Sequence, residues 1–338
     1  MTTYAAGWLR CLAVGATVLS SGPEAIGQTG RPPAPNTTKS GTVPRTADGQ
    51  PDLEGVWNYG TEMPLQRPDE LAGKTFLTPQ EADAYRAQMA ARRKERQSKP
   101  SRYSGEVFDD VLPKADWTKG TSLITDPPDG KIPEPTPLAK ARRAAQQAAF
   151  ARGEGPEDFG LADRCILGWS TGPPIIPGNQ SNIVQLIQSR DYFVIHTEMI
   201  HDARLVPLDN RPPPAAIHQY SGISHGRWEQ DTLVVETTNF MPLGVGTLTF
   251  RQNGGTDDSM HLVERFTRVD ATTLRYEFTI TDPATWTRPW SVAFQMRKTD
   301  EGIFEYACHE GNHSMETWLE NARAKEKAGE GSAKKRPN

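Results

Sequence analysis

Residues 261–308, HLVERFTRVDATTLRYEFTITDPATWTRPWSVAFQMRKTDEGIFEYAC, decide the fold class. His261 to Arg268 and Thr273 to Asp282 are β-branched and aromatic runs, separated by Val269-Asp270-Ala271-Thr272, a gap with hairpin chemistry. Trp290 to Arg297 repeats the texture. It is expected to pair, across Thr299-Asp300-Glu301-Gly302, with a further strand over Ile303 to Cys308. Short turns between successive strands force antiparallel neighbours.

The same pattern extends upstream to Asn182. Ile183 to Gln188, Tyr192 to Met199, Ala203 to Leu208 and Thr232 to Thr238 read as strands. Gly226-Arg227-Trp228 enters the last of these through Glu229-Gln230-Asp231. Eight or nine strands in up-and-down order close most naturally as a mainly β, antiparallel, lipocalin- or calycin-like barrel over 181–328, with a sandwich as the alternative. A final helix over Ser314 to Lys327 belongs to this unit, and 329–338 read as a disordered tail. Tyr192-Phe193-Val194-Ile195 is apolar on both faces, so its outer face needs cover.

Residues 51–180 are the expected cover, an irregular and partly helical wrap. Thr78-Pro79-Gln80-Glu81 is a capping box with proline at the first helical position, opening a helix to about Gln97. A second helix runs from Thr136-Pro137 through Arg152 and is closed by Gly153. Residues 28–50 are rich in Pro, Gly, Thr and Ser and read as a disordered linker, with order beginning at Pro51.

The N-terminus places Arg10 before a short apolar run, Cys11 to Leu19, and then the small-x-small site Ala25-Ile26-Gly27. That layout predicts a signal peptide over 1–27 and a periplasmic or secreted protein starting near Gln28. Arg10 directly before Cys11 excludes a lipobox, and no later apolar run spans a bilayer, so no membrane anchor is expected. Cys165 and Cys308 remain after cleavage. In an oxidising compartment they are expected to form a disulfide, with two buried thiols as the alternative.

A net charge of -4 lacks the broad basic footprint of a nucleic-acid binder. No Rossmann fingerprint, P-loop or nucleophile elbow occurs, so no cofactor is expected. Candidate chemistry falls in two clusters. Ile195-His196-Thr197-Glu198-Met199-Ile200-His201-Asp202-Ala203-Arg204 sets ionisable groups in apolar strands, where burial demands partners. Cys308-His309-Glu310-Gly311-Asn312-His313 formally matches a zinc-protease pattern. It lacks the helix that would bring both imidazoles to one face, so no metal site is expected.

Glu198, His201, Arg204, His309 and Glu310 are therefore the candidate catalytic groups, expected to meet at one end of the barrel. His196, Trp57, Trp228, Trp286 and Asn312 are the candidate substrate-binding groups. Trp169 and Trp290 complete the aromatic set, which on the opposing reading is simply core. Gly55-Val56-Trp57 resembles the opening of lipocalin-type barrels.

PDLEGVW (51–57), RCILGWSTGPP (164–174), HDARLVPLDNRP (201–212), GRWEQDTLVVETTNF (226–240), HLVERFTRVDATTLRYEFTITDPATWTRPW (261–290) and YACHEGNHSM (306–315) together resemble a family of exported bacterial proteins with no assigned activity. The resemblance covers most of 51–328 and implies export without implying a mechanism. Where these relatives carry tyrosine or another non-ligand, this chain has His313. Gly222-Ile223-Ser224-His225 departs from their glycine-aspartate-serine form, so a role for His225 is particular to this chain. The functional expectation is a cofactor-independent lyase, hydrolase or isomerase working by acid–base chemistry on a small, partly apolar molecule in a barrel cavity. The alternatives are a periplasmic binding protein without catalysis, or a histidine-based metal site.

Overall fold

Strand follows strand around a nearly closed antiparallel barrel in the computed structural model, which describes residues 43–97, 115–168, 172–178, 181–209, 211, 213–241 and 258–328. The strands are β1 (Gly55–Asn58), β2 (Ile124–Asp126), β3 (Ile183–Gln188), β4 (Tyr192–Thr197), β5 (Ala203–Pro207), β6 (Ile223–Glu229), β7 (Thr232–Thr238), β8 (His261–Arg268), β9 (Thr273–Thr281) and β10 (Trp290–Lys298). Their order in the sheet is β5-β4-β3-β1-β10-β9-β8-β7-β6. Neighbours in space are therefore neighbours in sequence, and β1 joins the two meanders between β3 and β10. The signal-peptide segment, most of the linker, Trp169 and the C-terminal tail lie outside the described residues.

Alternation sets the barrel's two faces, because successive strand side chains point to opposite sides. Along β8 the inward row is Leu262, Glu264, Phe266 and Arg268; along β9 it is Leu274, Tyr276, Phe278 and Ile280. Facing rows supply Trp57, Leu186, Phe193, Leu233 and Phe294. Aromatic rings interlock across the interior, Phe193 on Phe266 at 5.4 Å and Tyr276 on Phe294 at 5.2 Å. These side chains fill the space where a ligand cavity is expected from the sequence.

The helices form where their caps predict. In α1 (Pro79–Gln97), Thr78 N–H donates to Glu81 Oε2 and Glu81 N–H donates to Thr78 Oγ1. In α2 (Pro137–Arg152), Thr136 Oγ1 accepts from Ala139 N–H and Gly153 closes the helix at φ 59°. Thr136 Oγ1 also donates to Ala284 O at 2.6 Å, docking this arm on the β9–β10 connection. The last helix, α3, is Ser314–Lys327.

Four expectations are corrected. Residues 303–308 form no strand. One edge of β10 is taken by β9, and the two ends of the other are held by β2 and β1. The segment instead crosses as a strap to the β4–β5 corner. β1 belongs to the barrel wall rather than the wrap; four residues are too few to display a strand period. Order begins before Pro51, because Arg45 bridges Pro51 and Arg45 Nη1 donates to Gly49 O across a tight turn. Among the described residues, the outer face of β3–β5 lacks the expected cover. Ile187, Tyr192 and Leu205 are 42%, 41% and 56% exposed, because the arms dock near β2 and β10.

Cys165 and Cys308 are disulfide-bonded, with Cα atoms 5.8 Å apart. A loop of this length corresponds, in the chain-entropy account, to about 5 kcal/mol of stabilisation. Arg268 closes the other end of the barrel. It donates to the carbonyls of Asp52, Asp270 and Ala271 and lies 4.6 Å over the Trp57 ring. Burial draws its guanidinium below the ordinary arginine value.

Candidate functional site

Among the ladders the barrel lacks one, between β5 and β6. Gly226 lets the two strands approach. A Cβ there would lie 2.7 Å from Leu208 Cδ2 and 3.0 Å from Val206 Cγ1. Further along, side chains replace the missing backbone bonds. Arg204 points inward from β5 and forks onto Glu264 of β8, with Nη1 on Oε2 and Nη2 on Oε1, the latter at 2.8 Å. Nη1 also reaches Thr237 Oγ1 of β7, which shares a 2.8 Å hydrogen bond with Ser224 Oγ of β6. Tyr276 Oη donates to Glu264 Oε1 at 2.6 Å and accepts from Ile175 N–H at 3.0 Å.

Arg204 is 8% exposed and Glu264 fully buried. Burial pulls the Arg204 guanidinium down. The Glu264 charge and its hydrogen bonds outweigh that and hold it above the ordinary arginine value. Burial, reinforced by the same carboxylate, pushes the Tyr276 phenol well above its usual range. A charged pair with its lone pairs occupied is the form in which ions survive in an interior.

Outside this cluster the seam opens into a cleft of about 720 Å³. Ile166, Leu167, Leu205, Ile223 and Met241 give it an apolar lining, while Arg204, Ser224, His218 and His225 supply polar groups. At its rim Ser221 Oγ donates to Asp202 Oδ2 at 3.3 Å. His225 Nδ1 is buried without a hydrogen-bond partner and lies 3.6 Å from Asp209 Oδ1.

The sequence-predicted catalytic groups divide among the seam, the strap and the turn after Cys308 rather than meeting at one place. Arg204 belongs to the seam. Glu198 and His201 hold the strap: Glu198 Oε2 accepts from Phe304 N–H at 3.2 Å and His201 Nε2 from Tyr306 N–H at 3.0 Å. Asn312 lies beside them, its Nδ2 3.5 Å from Cys165 Sγ. His309 and Glu310 sit exposed on the turn that follows Cys308. His313 precedes α3 and pairs with Glu316 at 3.2 Å, so the two imidazoles do not share a helical face. Among the described residues no three metal-ligating side chains converge.

His196 faces outward, half-buried, on β4. Trp57 and Trp286 are core: Trp57 Nε1 donates to Leu53 O at 3.1 Å, and Trp286 packs edge-on against Trp290 at 5.5 Å. Trp228 is half-buried beside an open acidic cleft with Asp48, Asp52 and Glu54.

Glu264, Tyr276, Thr237 and Ser224 were not singled out by sequence reasoning. A signal existed for Glu264: it falls in phase with Leu262 and Phe266, so an ionisable group stands in the inward row. Its partner was not readable, because Arg204 lies 60 residues away. Compared with protein-family models, with curated proteins and with solved structures, the chain matches none, so no relative supplies an activity or a residue role.

Proposed function

We propose that this chain is an exported small-molecule binding protein whose ligand occupies the cleft at the β5–β6 seam. The observation carrying this reading is the cleft itself: its volume of about 720 Å³ falls in the range of ligand sites, and apolar walls surround a few polar groups. The ligand is a small, partly apolar molecule with a hydrogen-bonding end directed at Arg204 and Ser224. Export is supported by the disulfide, a bond that persists in oxidising compartments, and by the signal-peptide layout at the N-terminus.

Acid–base catalysis of lyase, hydrolase or isomerase type in the same cleft is the second reading. It is favoured by His225, whose buried Nδ1 faces the Asp209 carboxylate without a hydrogen bond. An imidazole oriented by a carboxylate is a base–orienter arrangement, and such contacts are often long before a substrate binds. Glu198 and His201 serve this reading less well, because backbone donors of the strap already occupy them.

The test is incubation of purified mature protein with a metabolite library, read by native mass spectrometry. Binding predicts a retained, unchanged compound that Leu205→Arg displaces. A compound whose mass or chromatographic retention changes on incubation, and stays unchanged with His225→Ala, establishes the catalytic reading. Retention unaffected by Leu205→Arg overturns the seam as the site.

A further inference from the structure

A second cleft, of about 520 Å³, lies against the disulfide, where the strap passes the β4–β5 corner. Segments distant in sequence build it: Asp163 from the turn before Cys165, Met199 and Ile200 from the corner, Glu305 and Tyr306 from the strap, and Trp318 from α3. The walls are fixed by more than packing. Cys165–Cys308 ties two of them covalently, and the Tyr306 N–H to His201 Nε2 bond ties the strap to the corner. Ile200 and Cys165 both adopt left-handed backbone, at φ 66° and 55°. For a β-branched residue that conformation is a rare outlier, sustained only where the surroundings over-determine it.

The chemistry of the lining is one-sided. Asp163 and Glu305 bring two carboxylates, and no lysine, arginine or histidine is among the described lining residues. Trp318 is half-buried, stacked at 5.1 Å on Phe159 and edge-on to Phe150 at 5.7 Å. Those contacts hold the indole rigid while it lines the cleft beside Tyr306. Carboxylates beside aromatic rings favour a cation, through charge and through the negative face of the ring system.

An anion at the start of α3 is the competing occupant, since helix N-termini attract negative charge. Two features oppose it. Asn312 Oδ1 already accepts the Ser314 N–H at 3.0 Å, and Glu316 places a further carboxylate in the first turn. Asp163 and Glu305 would also repel such a ligand.

We propose that the disulfide cleft is a second binding site, for an organic ammonium cation held between the Asp163 and Glu305 carboxylates and the Trp318 and Tyr306 rings. This site is separate from the seam cleft, and its failure leaves the seam reading standing.

Calorimetric titration of the full, disulfide-bonded chain with choline tests it, with 3,3-dimethylbutan-1-ol as the neutral probe of the same shape and acetate as the anion. Choline is expected to bind one site at least about tenfold more tightly than the alcohol, a gap of about 1.4 kcal/mol, and acetate not at all. Glu305→Lys and the double variant Asp163→Asn with Glu305→Gln should each weaken choline by about tenfold or more. Asp163 also accepts the Gly160 N–H, so Glu305→Lys, at an exposed position, carries the test if the double variant does not fold. No choline binding up to about 10 mM, equal affinity for the alcohol, or unchanged affinity in Glu305→Lys would overturn the proposal.

Discussion

Glu264 and Arg265 are chain neighbours on β8, yet they belong to two different electrostatic worlds. Glu264 points into the barrel, where Arg204, Tyr276 and Thr237 complete a buried cluster. Arg265 points outward, where it donates to Glu229 at 2.6 Å. That carboxylate also takes Arg227, which in turn pairs with Glu236, itself 3.3 Å from His261. The outer ladder contains four charges, twice as many as the inner pair, at comparable distances. The difference lies in solvent. Water and salt screen the outer pairs, which in general contribute little. The inner pair is largely withdrawn from water, so each partner depends on the other. The inner cluster also spans β5, β7 and β8, with Ser224 of β6 bonded to it through Thr237, and thereby closes a barrel whose backbone ladder is interrupted.

The comparison can be broken most directly at Glu264. Glu264→Gln should leave the Arg204 charge buried without its counter-ion, at a cost of about 3–5 kcal/mol. Thermal denaturation should show a fall of about 5–8 °C. A fall no larger than that of an outer-ladder variant would show that the seam is wetter than its geometry indicates.

A sharper form replaces both partners. The double variant Arg204→Met with Glu264→Leu removes the charges together and leaves no ion stranded. It should recover most of the loss, because apolar replacement of a buried pair is often neutral or stabilising. Recovery of stability with loss of the seam ligand would separate the pair's structural role from its binding role.

Tyr276→Phe should cost about 1 kcal/mol through the lost hydrogen bond to Glu264. It should also change the alkaline limb. The folded phenol ionises well above its ordinary value, so its stabilising contribution is complete below about pH 10 and is lost as pH rises beyond that. Urea midpoints measured between neutral and alkaline pH should fall more shallowly in Tyr276→Phe than in the wild type.

The smallest effect is expected on the outer face. Arg265 bonding holds the Glu229 carboxyl below its usual range, and Arg227 bonding does the same for Glu236. Their contribution is present above the ordinary glutamate value of about 4.3 and is lost as pH falls through the lowered folded value. Arg265→Ala should flatten that acid limb slightly. The difference should disappear at about 1 M salt, where screening acts within about 3 Å.

The parts of this molecule that were legible in the sequence are those governed by neighbours. Thr78 and Glu81 reciprocally cap α1, and Thr136 with Gly153 brackets α2, because capping partners lie within one turn. β8 and β9 meet across four residues, so alternation and turn chemistry specify them together. The strand expected at 303–308 fails for the opposite reason. Its residues suit a strand, but the edge they needed is held by Trp57, Asn58, Ile124 and Asp126 from far upstream.

The candidate site divides in the same way. That Arg204 needs a partner follows from burying a charge among apolar groups, a rule readable from the chain alone; the same expectation for Glu198 and His201 meets a half-buried and an exposed residue. Which partners they find does not follow. Arg204 takes Glu264, while Glu198 and His201 take backbone N–H groups more than 100 residues away. The amino-acid sequence alone determined a mainly antiparallel barrel, its helices and its need to pair buried charge, because period, cap and composition act over a few residues. Tertiary structure alone decided where the barrel is left unladdered, which ions close that seam, and how the strap and disulfide shape a second cleft. Those outcomes depend on chain closure over 60 to 143 residues, a distance across which no local preference reaches.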